Sequence, residues 1–184
     1  KRLVAPFTVH FDINNACNTD CIFCPIHSTV DLVPYWMKQY ENPKDWHKER
    51  TDLSFFKRTI DELHEMGGCG EVLMSGEGEP LLHPDIEEMI SHLNAHNLKS
   101  ILFTNGKLMR PDLLKFLMQN NVKQIYWSLS CSDPESYKST HPKEDPENFN
   151  KMIDVFRHYK EYKQTLQTET DIFMIFVIMS FNHD

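Results

Sequence analysis

Residues 71–84 read EVLMSGEGEPLLHP, and this stretch contains the strand, the turn and the helix start of one β/α unit. Glu71 to Ser75 is a short run with an apolar centre, which predicts a strand. The glycines that follow allow a tight turn of the backbone. Pro84 is well placed as the first helical residue, because apolar side chains recur at helical spacing directly after it. The stretch therefore predicts a strand that leads into a helix.

The same unit recurs on both sides of this stretch. Apolar and polar residues alternate from Phe7 to Ile13, which predicts a first strand. Three further strands are predicted at residues 100–104, 124–130 and 171–181. Further helices are predicted with Ser54 as N-cap, from Pro111 and after Pro146. Five strands that alternate with helices predict an α/β fold with a parallel sheet and right-handed crossovers.

Polar and glycine-rich motifs follow the predicted strands directly. The sequence leaves open whether the sheet is flat or curls into part of a barrel. In both architectures the active site lies at the carboxyl ends of the strands. The motifs found there are residues 17–24, 76–80 and 104–106, together with Ser128 and Ser130.

The five cysteines are unevenly distributed, and three of them crowd into eight residues: Cys17, Cys21 and Cys24. Thiolates at these spacings can converge from one loop and select zinc, copper(I) or an iron–sulfur cluster. A four-iron cluster with three cysteine ligands leaves one iron open to a chelating small molecule. A structural zinc site needs a fourth ligand, for which His27 is the best candidate. Cys69 and Cys131 stand alone and are predicted to be ordinary buried residues.

The composition limits the class of protein. Of 184 residues, 40% are hydrophobic and 25% are charged, as is typical of a globular chain, and the formal net charge of -8 argues against general nucleic-acid binding. No apolar run is long enough for a membrane span, and the first residues lack a signal-peptide pattern. An odd number of cysteines then argues against a disulfide scaffold. We therefore expect a cytoplasmic protein with metal or reactive-cysteine chemistry.

The spacing C-x3-C-x2-C resembles the cluster motif of the radical S-adenosylmethionine (SAM) superfamily, and further motifs extend the resemblance. Phe23 precedes the third cysteine, where an aromatic residue is usual in that family. Residues 75–84 resemble its Gly-Glu-Pro motif. The triplet at residues 104–106 and the serine at position 128 are further familiar features.

This resemblance implies an architecture. Members have a parallel sheet that forms a partial (β/α)6 TIM-type barrel. Residues 1–184 are interpreted as the core domain of such a barrel, with an insert at about 28–50. The chain stops shortly after an apolar stretch, and we expect it to be truncated after strand five.

The resemblance also implies two cofactors. The three clustered cysteines would hold a 4Fe-4S cluster, and the open iron would be chelated by SAM. One electron from the reduced cluster cleaves SAM in these enzymes, and the resulting 5′-deoxyadenosyl radical takes a hydrogen atom from a substrate. The electron would come from an external flavodoxin- or ferredoxin-like donor. The substrate class stays open among peptides, nucleotides and sugars.

The resemblance places the SAM pocket on several motifs. The expected cofactor-binding residues are Phe23, Gly76, Gly78, Glu79, Pro80, Thr104, Asn105, Ser128, Ser130 and Asn182. Glycine-rich turns let backbone carbonyls approach the ammonium group of SAM closely. Ser130 lies two residues after Ser128, hence on the same face of a strand, and stands where relatives often carry Asp. His141 lies near the position of a common Arg that pairs with the SAM carboxylate.

Strand one supplies two substrate candidates. Its alternation puts His10 and Asp12 on the polar face, and this face lines the barrel interior if the apolar face meets the helices. A hydrogen-bonded interior pair without a substrate role is the alternative interpretation.

The residues alone are also compatible with two other functions. One is an iron–sulfur electron-transfer or redox-sensing protein without SAM chemistry, and the other is a zinc-stabilised binding module. The Gly-Glu-Pro motif favours the enzyme, because neither alternative requires it.

Overall fold

Five parallel strands lie side by side in the order in which they follow one another along the chain. The computed structural model describes residues 5–28, 46–180 and 182, so most of the predicted insert lies outside the described residues. The strands are β1 (Thr8–Asp12), β2 (Glu71–Ser75), β3 (Ser100–Thr104), β4 (Val122–Ser128) and β5 (Asp171–Ile175). The predicted α/β class with a parallel sheet is confirmed.

Helices fill the crossovers between the strands. They are α1 (Leu53–Glu65), α2 (Ile86–Ala95), α3 (Pro111–Gln119), α4 (Pro134–Thr140) and α5 (Glu147–Leu166). The first three each connect neighbouring strands, whereas α4 and α5 both lie between β4 and β5. Two short 3-10 turns add to them, at Trp46–Lys48 and Pro80–Leu82. A helix in each crossover of a parallel sheet is the repeat from which TIM-type barrels are built.

Two helices begin at different residues from those predicted. Asp52, not Ser54, caps α1, because its Oδ1 accepts a hydrogen bond from the Phe55 backbone N–H at 2.9 Å. Helix α2 begins at Ile86, two residues after Pro84. The chain turns first, because the Asp85 N–H donates to Nδ1 of His83 at 3.1 Å, and Nε2 of His83 lies 2.9 Å from the Thr51 carbonyl oxygen.

The last two strands are shorter or shifted relative to the predictions. β4 runs from Val122 to Ser128 rather than over 124–130, and β5 ends at Ile175 rather than at residue 181. Helix α4 was not predicted at all. It is a seven-residue helix that depends on a capping box between Asp133 and Ser136, a local feature without apolar periodicity.

The hydrophobic core lies between the sheet and the helices. Phe11 of β1 packs on Phe56 of α1 with ring centroids 4.8 Å apart, and Trp127 of β4 is fully buried. The apolar face of β1 therefore meets the helices, which is the condition under which its polar face lines the barrel interior. The opposite face of the sheet carries a stack of three rings from β3, β4 and β5: Phe103, Tyr126 and Phe173. Among the described residues, none of the helices combines the length and the hydrophobicity that a membrane span requires.

Candidate active site

A cavity of about 270 Å³ lies at the carboxyl ends of the strands. Its walls come from the loop after β1, the turn after β2 and the ends of β3 and β4. The lining residues that were predicted as site residues are Cys17, Cys21, Phe23, Cys24, Gly76, Gly78, Glu79, Pro80, Thr104, Asn105 and Ser128. The topology thus brings together motifs that are more than 100 residues apart in the chain.

The cysteine loop, residues 15–25, presents three sulfur atoms to this cavity. The Thr19 hydroxyl lies between two of them, 3.3 Å from Sγ of Cys17 and 3.5 Å from Sγ of Cys21. The backbone N–H of His27 donates to Sγ of Cys24 at 3.2 Å. Burial, followed by the neighbouring sulfurs of Cys17 and Cys24, raises the pKa of the Cys21 thiol to about 12. A thiol with this pKa is protonated at neutral pH, and only nearby positive charge would convert it to the thiolate.

The three sulfurs of the cysteine loop do not all lie within 4.8 Å of one another, so their present positions do not fit a single zinc ion. Two thiolates on one zinc ion lie at most about 4.6 Å apart, since each Zn–S bond is about 2.3 Å. Within the described part of the chain, only one group of three ligand atoms lies within 4.8 Å of one another, and it does not contain the cysteines. A cluster places its irons at separate corners and so accepts ligands that stand farther apart.

The GEGEP turn, residues 76–80, is held against the cysteine loop by backbone hydrogen bonds. The N–H of Gly78 donates to the Asn14 carbonyl at 3.0 Å, and the N–H of Glu79 donates to the Ala16 carbonyl at 2.8 Å. A Cβ atom on Gly78 would lie 2.2 Å from the Ala16 oxygen, so a side chain would not fit there. The buried Asn14 amide adds a bond to the Glu79 carbonyl at 3.1 Å. The two motifs therefore form one hydrogen-bonded unit.

The Glu79 side chain connects this unit to β3. Its carboxylate is buried and accepts three hydrogen bonds: from the Thr104 hydroxyl at 2.7 Å, the Asn105 N–H at 2.7 Å and the Leu81 N–H at 3.0 Å. Burial raises the pKa of Glu79, while these donors oppose the shift. The partners of the carboxylate thus come from the protein itself.

Asn105 and Lys107 tie the end of β3 to the cysteine loop. Nδ2 of Asn105 lies 2.8 Å from Oδ1 of Asn18, 3.3 Å from the Thr19 hydroxyl and 3.8 Å from Sγ of Cys17. Nζ of Lys107 donates to the Asn18 carbonyl at 2.8 Å and pairs with Glu144 at 2.5 Å. The loop that carries the sulfurs is therefore fixed from two sides.

Ser130 and Asn182 stand apart from the other predicted cofactor residues. Neither lines the cavity, although Ser128 does. β4 ends at Ser128, and Ser130 has a left-handed backbone with a φ of 54°, so the alternation of a strand no longer applies to it. Its hydroxyl accepts the Val177 N–H at 3.1 Å, and Nδ2 of Asn182 donates to the Ser130 carbonyl at 3.2 Å. In this structure their polar atoms hold the segment after β5.

Two histidines near the loop are engaged with the protein. His141 is buried against Tyr137, with ring centroids 4.4 Å apart, and burial lowers its pKa. A neutral ring there does not replace the positive charge of an Arg. Nε2 of His27 lies 2.8 Å from the Glu77 carbonyl oxygen, and burial lowers the His27 pKa too. The candidate fourth ligand of a zinc site is therefore bonded to the GEGEP turn.

His10 and Asp12 lie on the sheet face away from the helices. Both side chains are exposed, with Nε2 of His10 3.5 Å from Oδ1 of Asp12 and in a short contact with the Ser75 hydroxyl. Asp12 also lines a second, polar cavity of about 360 Å³ together with Glu49 and Arg50. The pair is accessible from the barrel side of the sheet.

Three residues with a clear place in the site were missed from the sequence: Asn14, Thr19 and Lys107. Thr19 lies inside the cysteine motif, and Lys107 follows the triplet at residues 104–106 directly. Adjacency to a motif was the available signal for both. Asn14 lies two residues after the end of β1, and its bond to Glu79 depends on a contact 65 residues away.

Three clustered cysteines and a glycine-rich turn lie together at the carboxyl edge of a parallel β/α sheet. The family model of the radical SAM superfamily matches residues 12–176. This range contains the cysteine loop, the GEGEP turn and the end of β4. The chain belongs to the radical SAM superfamily, which is a superfamily of enzymes.

Curated relatives are similar to this chain over part of their length. The S-adenosyl-L-methionine-dependent tRNA 4-demethylwyosine synthase of Arabidopsis thaliana is 25% identical over 158 aligned positions, covering 81% of this chain and 24% of that protein. The AdoMet-dependent heme synthase of Methanosarcina barkeri is 26% identical over 133 positions, covering 72% and 34%. The chain spans about a quarter to a third of the length of these relatives.

Solved structures share the fold. SuiB of Streptococcus suis bound to S-adenosylmethionine superposes with a TM-score of 0.69 at 16% identity, covering 97% of this chain and 36% of SuiB. BtrN in complex with AdoMet and 2-DOIA gives a TM-score of 0.63 at 15% identity, covering 95% and 58%. The likeness confirms the predicted partial TIM-type barrel as the architecture of the chain.

Proposed function

We propose that this chain is the catalytic core of a radical SAM enzyme, in which Cys17, Cys21 and Cys24 hold a 4Fe-4S cluster and the GEGEP turn binds SAM beside it. The shared cavity carries this proposal, because the cysteine loop, the turn and the ends of β3 and β4 all line it. An electron carrier or a zinc module needs no such cavity. Membership in the family supports both cofactors.

When bound, the reduced cluster supplies the electron that cleaves SAM into methionine and a 5′-deoxyadenosyl radical. The residues of the chain bind and orient these groups. The thiolates of the cysteine loop would anchor the cluster and leave one iron open. Backbone carbonyls of the GEGEP turn would accept hydrogen bonds from the SAM ammonium group. Phe23 and Phe103 line the cavity with apolar rings, which exclude water from a reactive radical.

Further polar residues are assigned roles within the same proposal. Ser128 lines the cavity at the end of β4, where its hydroxyl would bond the ribose or the carboxylate of SAM. His10 and Asp12 lie on the barrel side of β1 and are proposed to contact the substrate. Thr104 holds the GEGEP turn in position through its bond to Glu79, and Asn105 holds the cysteine loop through its bond to Asn18.

An external one-electron donor of the flavodoxin or ferredoxin type is part of the proposal, because the cluster must be reduced before each cleavage. The curated relatives are named for unlike products, a tRNA base and a heme. These two names do not agree on one substrate class, and the proposal keeps peptides, nucleotides and sugars as candidates.

Electron paramagnetic resonance (EPR) of the reduced cluster tests the SAM site. The protein is reconstituted with iron and sulfide without oxygen and reduced with dithionite. We expect SAM to change the spectrum, because its amino and carboxylate groups would bind the open iron. A spectrum that does not change at saturating SAM would contradict the proposal and favour an electron-transfer or sensing protein.

A matched pair of serine variants makes this test specific. Ser128→Ala removes a hydroxyl from the cavity wall, and we expect the SAM affinity to fall about tenfold, the loss of one good hydrogen bond to a charged group. Ser139→Ala changes an exposed serine on α4 and is expected to leave the affinity unchanged. Iron content should be equal in both.

A further inference from the structure

A group of histidine and aspartate side chains lies where α1 packs against α2. Nε2 of His92 is 2.8 Å from Oδ1 of Asp61, and Nε2 of His96 is 3.1 Å from the same oxygen. All three atoms lie within 4.8 Å of one another, the only such group of three ligand atoms in the described part of the chain. None of these residues lines the cavity at the strand ends.

The two histidines have the spacing of a helical metal site. His92 and His96 are four residues apart on α2 and its C-cap, so their rings project from the same face, with centroids 4.5 Å apart. Asp61 reaches them from α1, which adds a carboxylate from a second element. The histidine side chains are largely covered, at 20% and 21% exposure, whereas Asp61 is 51% exposed. The group therefore has two oriented imidazoles and one side open to solvent.

The hydrogen bonds of His96 determine which ring nitrogen is free. Nδ1 of His96 lies 2.9 Å from the carbonyl oxygen of His92, and a carbonyl oxygen can only accept, so Nδ1 carries a hydrogen. In the neutral ring, Nε2 then faces the Asp61 carboxylate with a lone pair. Two acceptors 3.1 Å apart repel each other unless a proton or a metal cation lies between them. A ligand histidine whose other nitrogen donates to a carbonyl is the usual arrangement at metal centres.

We propose that Asp61, His92 and His96 form a binding site for a first-row divalent cation, with Zn²⁺ as the best match. Imidazole nitrogens and a carboxylate oxygen are ligands that zinc accepts. In a tetrahedral site with bonds of about 2.1 Å, neighbouring ligand atoms are about 3.4 Å apart. The observed separations of 2.8 and 3.1 Å need only a small outward movement of the side chains. The bound ion would join α1 to α2 and keep one position for water.

Zinc titration of the cluster-loaded protein tests this site. The cluster is assembled first so that the thiolates of the cysteine loop are occupied. Isothermal titration calorimetry is expected to show one zinc per chain. His92→Gln, His96→Gln and Asp61→Asn are each expected to weaken this binding at least about tenfold. His158→Gln on α5 and Asp154→Asn on the same helix serve as matched controls with wild-type affinity. These residues have no role in the proposed SAM site, so the two proposals fail independently.

Zinc X-ray absorption identifies the ligands directly. We expect nitrogen and oxygen at about 2.0–2.1 Å and no sulfur at about 2.3 Å. Because the three variants change partly exposed side chains, circular dichroism and iron content should show them to be folded. Sulfur ligation, or equal zinc affinity in the wild type and all three variants, would overturn the site. The absence of saturable zinc binding to the wild type would overturn the proposed site as well. Asp61, His92 and His96 would then form only a group of hydrogen bonds and ion pairs between α1 and α2.

Discussion

Cys21→Ala is expected to reduce the iron content after anaerobic reconstitution to the background level. Cys21 is the central cysteine of the three proposed ligands, and Thr19 hydrogen-bonds both its sulfur and that of Cys17. Two remaining thiolates would leave two irons of a cluster without a protein ligand. Iron per chain and the visible absorption of the cluster measure the loss. The same result is expected for Cys17→Ala and Cys24→Ala.

The two isolated cysteines provide the matched controls. Cys131 is buried, and its sulfur bonds the Leu129 carbonyl at 3.1 Å, while Sγ of Cys69 lies 3.7 Å from the Glu71 carbonyl. Neither lines the cavity. Cys69→Ala and Cys131→Ala are therefore expected to keep a full cluster. Normal iron content in Cys21→Ala, or its loss in both controls, would contradict the assignment of the ligands.

Gly78→Ala is expected to abolish measurable SAM binding and to lower thermal stability. The added Cβ would lie 2.2 Å from the Ala16 oxygen and 2.6 Å from the Asn14 oxygen, and both are backbone atoms. Relief of this clash must separate the GEGEP turn from the cysteine loop and break two backbone hydrogen bonds. Overpacking of this kind costs about 1–3 kcal/mol of the free energy of unfolding. SAM affinity of the cluster-loaded protein and the thermal midpoint are the measurements.

Gly67→Ala is the control variant that distinguishes the steric clash at Gly78 from the effect of backbone strain alone. Gly67 has a φ of 100° at the end of α1, but an added Cβ would meet nothing within 4 Å. We expect a loss of about 1 kcal/mol in stability and unchanged SAM affinity. If Gly78→Ala bound SAM as well as Gly67→Ala does, the turn would not be part of the SAM site.

The fold could be predicted from the sequence because each β/α unit is encoded locally. The apolar run at Glu71–Ser75 and the helix after Pro84 lie next to each other in the chain, and the repeats extend the same pattern. The boundaries were less accurate, because hydrogen bonds decide them. The bond from the Asp85 N–H to the His83 ring moves the start of α2 to Ile86. β5 ends at Ile175, although the apolar run in the sequence continues beyond that residue. Helix α4 was not predicted, because a capping box produces no periodic pattern of apolar residues.

The site was predictable where its residues form motifs and unpredictable where folding brings distant residues together. The cysteine spacing and the glycines of the turn are visible as local patterns. The hydrogen bond from Asn14 to Glu79 joins residues 65 positions apart, and the bond from Lys107 to Asn18 joins residues 89 positions apart. No local pattern in the sequence predicts either bond. Ser130 was placed on the same face as Ser128 by extending the strand alternation, but β4 ends at Ser128 and the backbone of Ser130 is left-handed.

The same distinction applies to the proposed zinc site. His92 and His96 have a spacing that is visible in the sequence. Their partner Asp61 lies 31 residues earlier than His92, and only the packing of α1 on α2 brings it within 2.8 Å. Two histidines on a helix are too common to predict a site without such a third ligand.

Production of 5′-deoxyadenosine tests the proposed function most directly. The cluster-loaded protein is reduced with dithionite and incubated with SAM in the absence of oxygen and of any substrate, and the products are separated by chromatography. The cysteine loop, the GEGEP turn and Ser128 all lie in this chain, so we expect slow formation of 5′-deoxyadenosine and methionine, and none with Cys21→Ala. A folded protein with a reduced cluster that binds SAM and yields no 5′-deoxyadenosine would contradict the proposal.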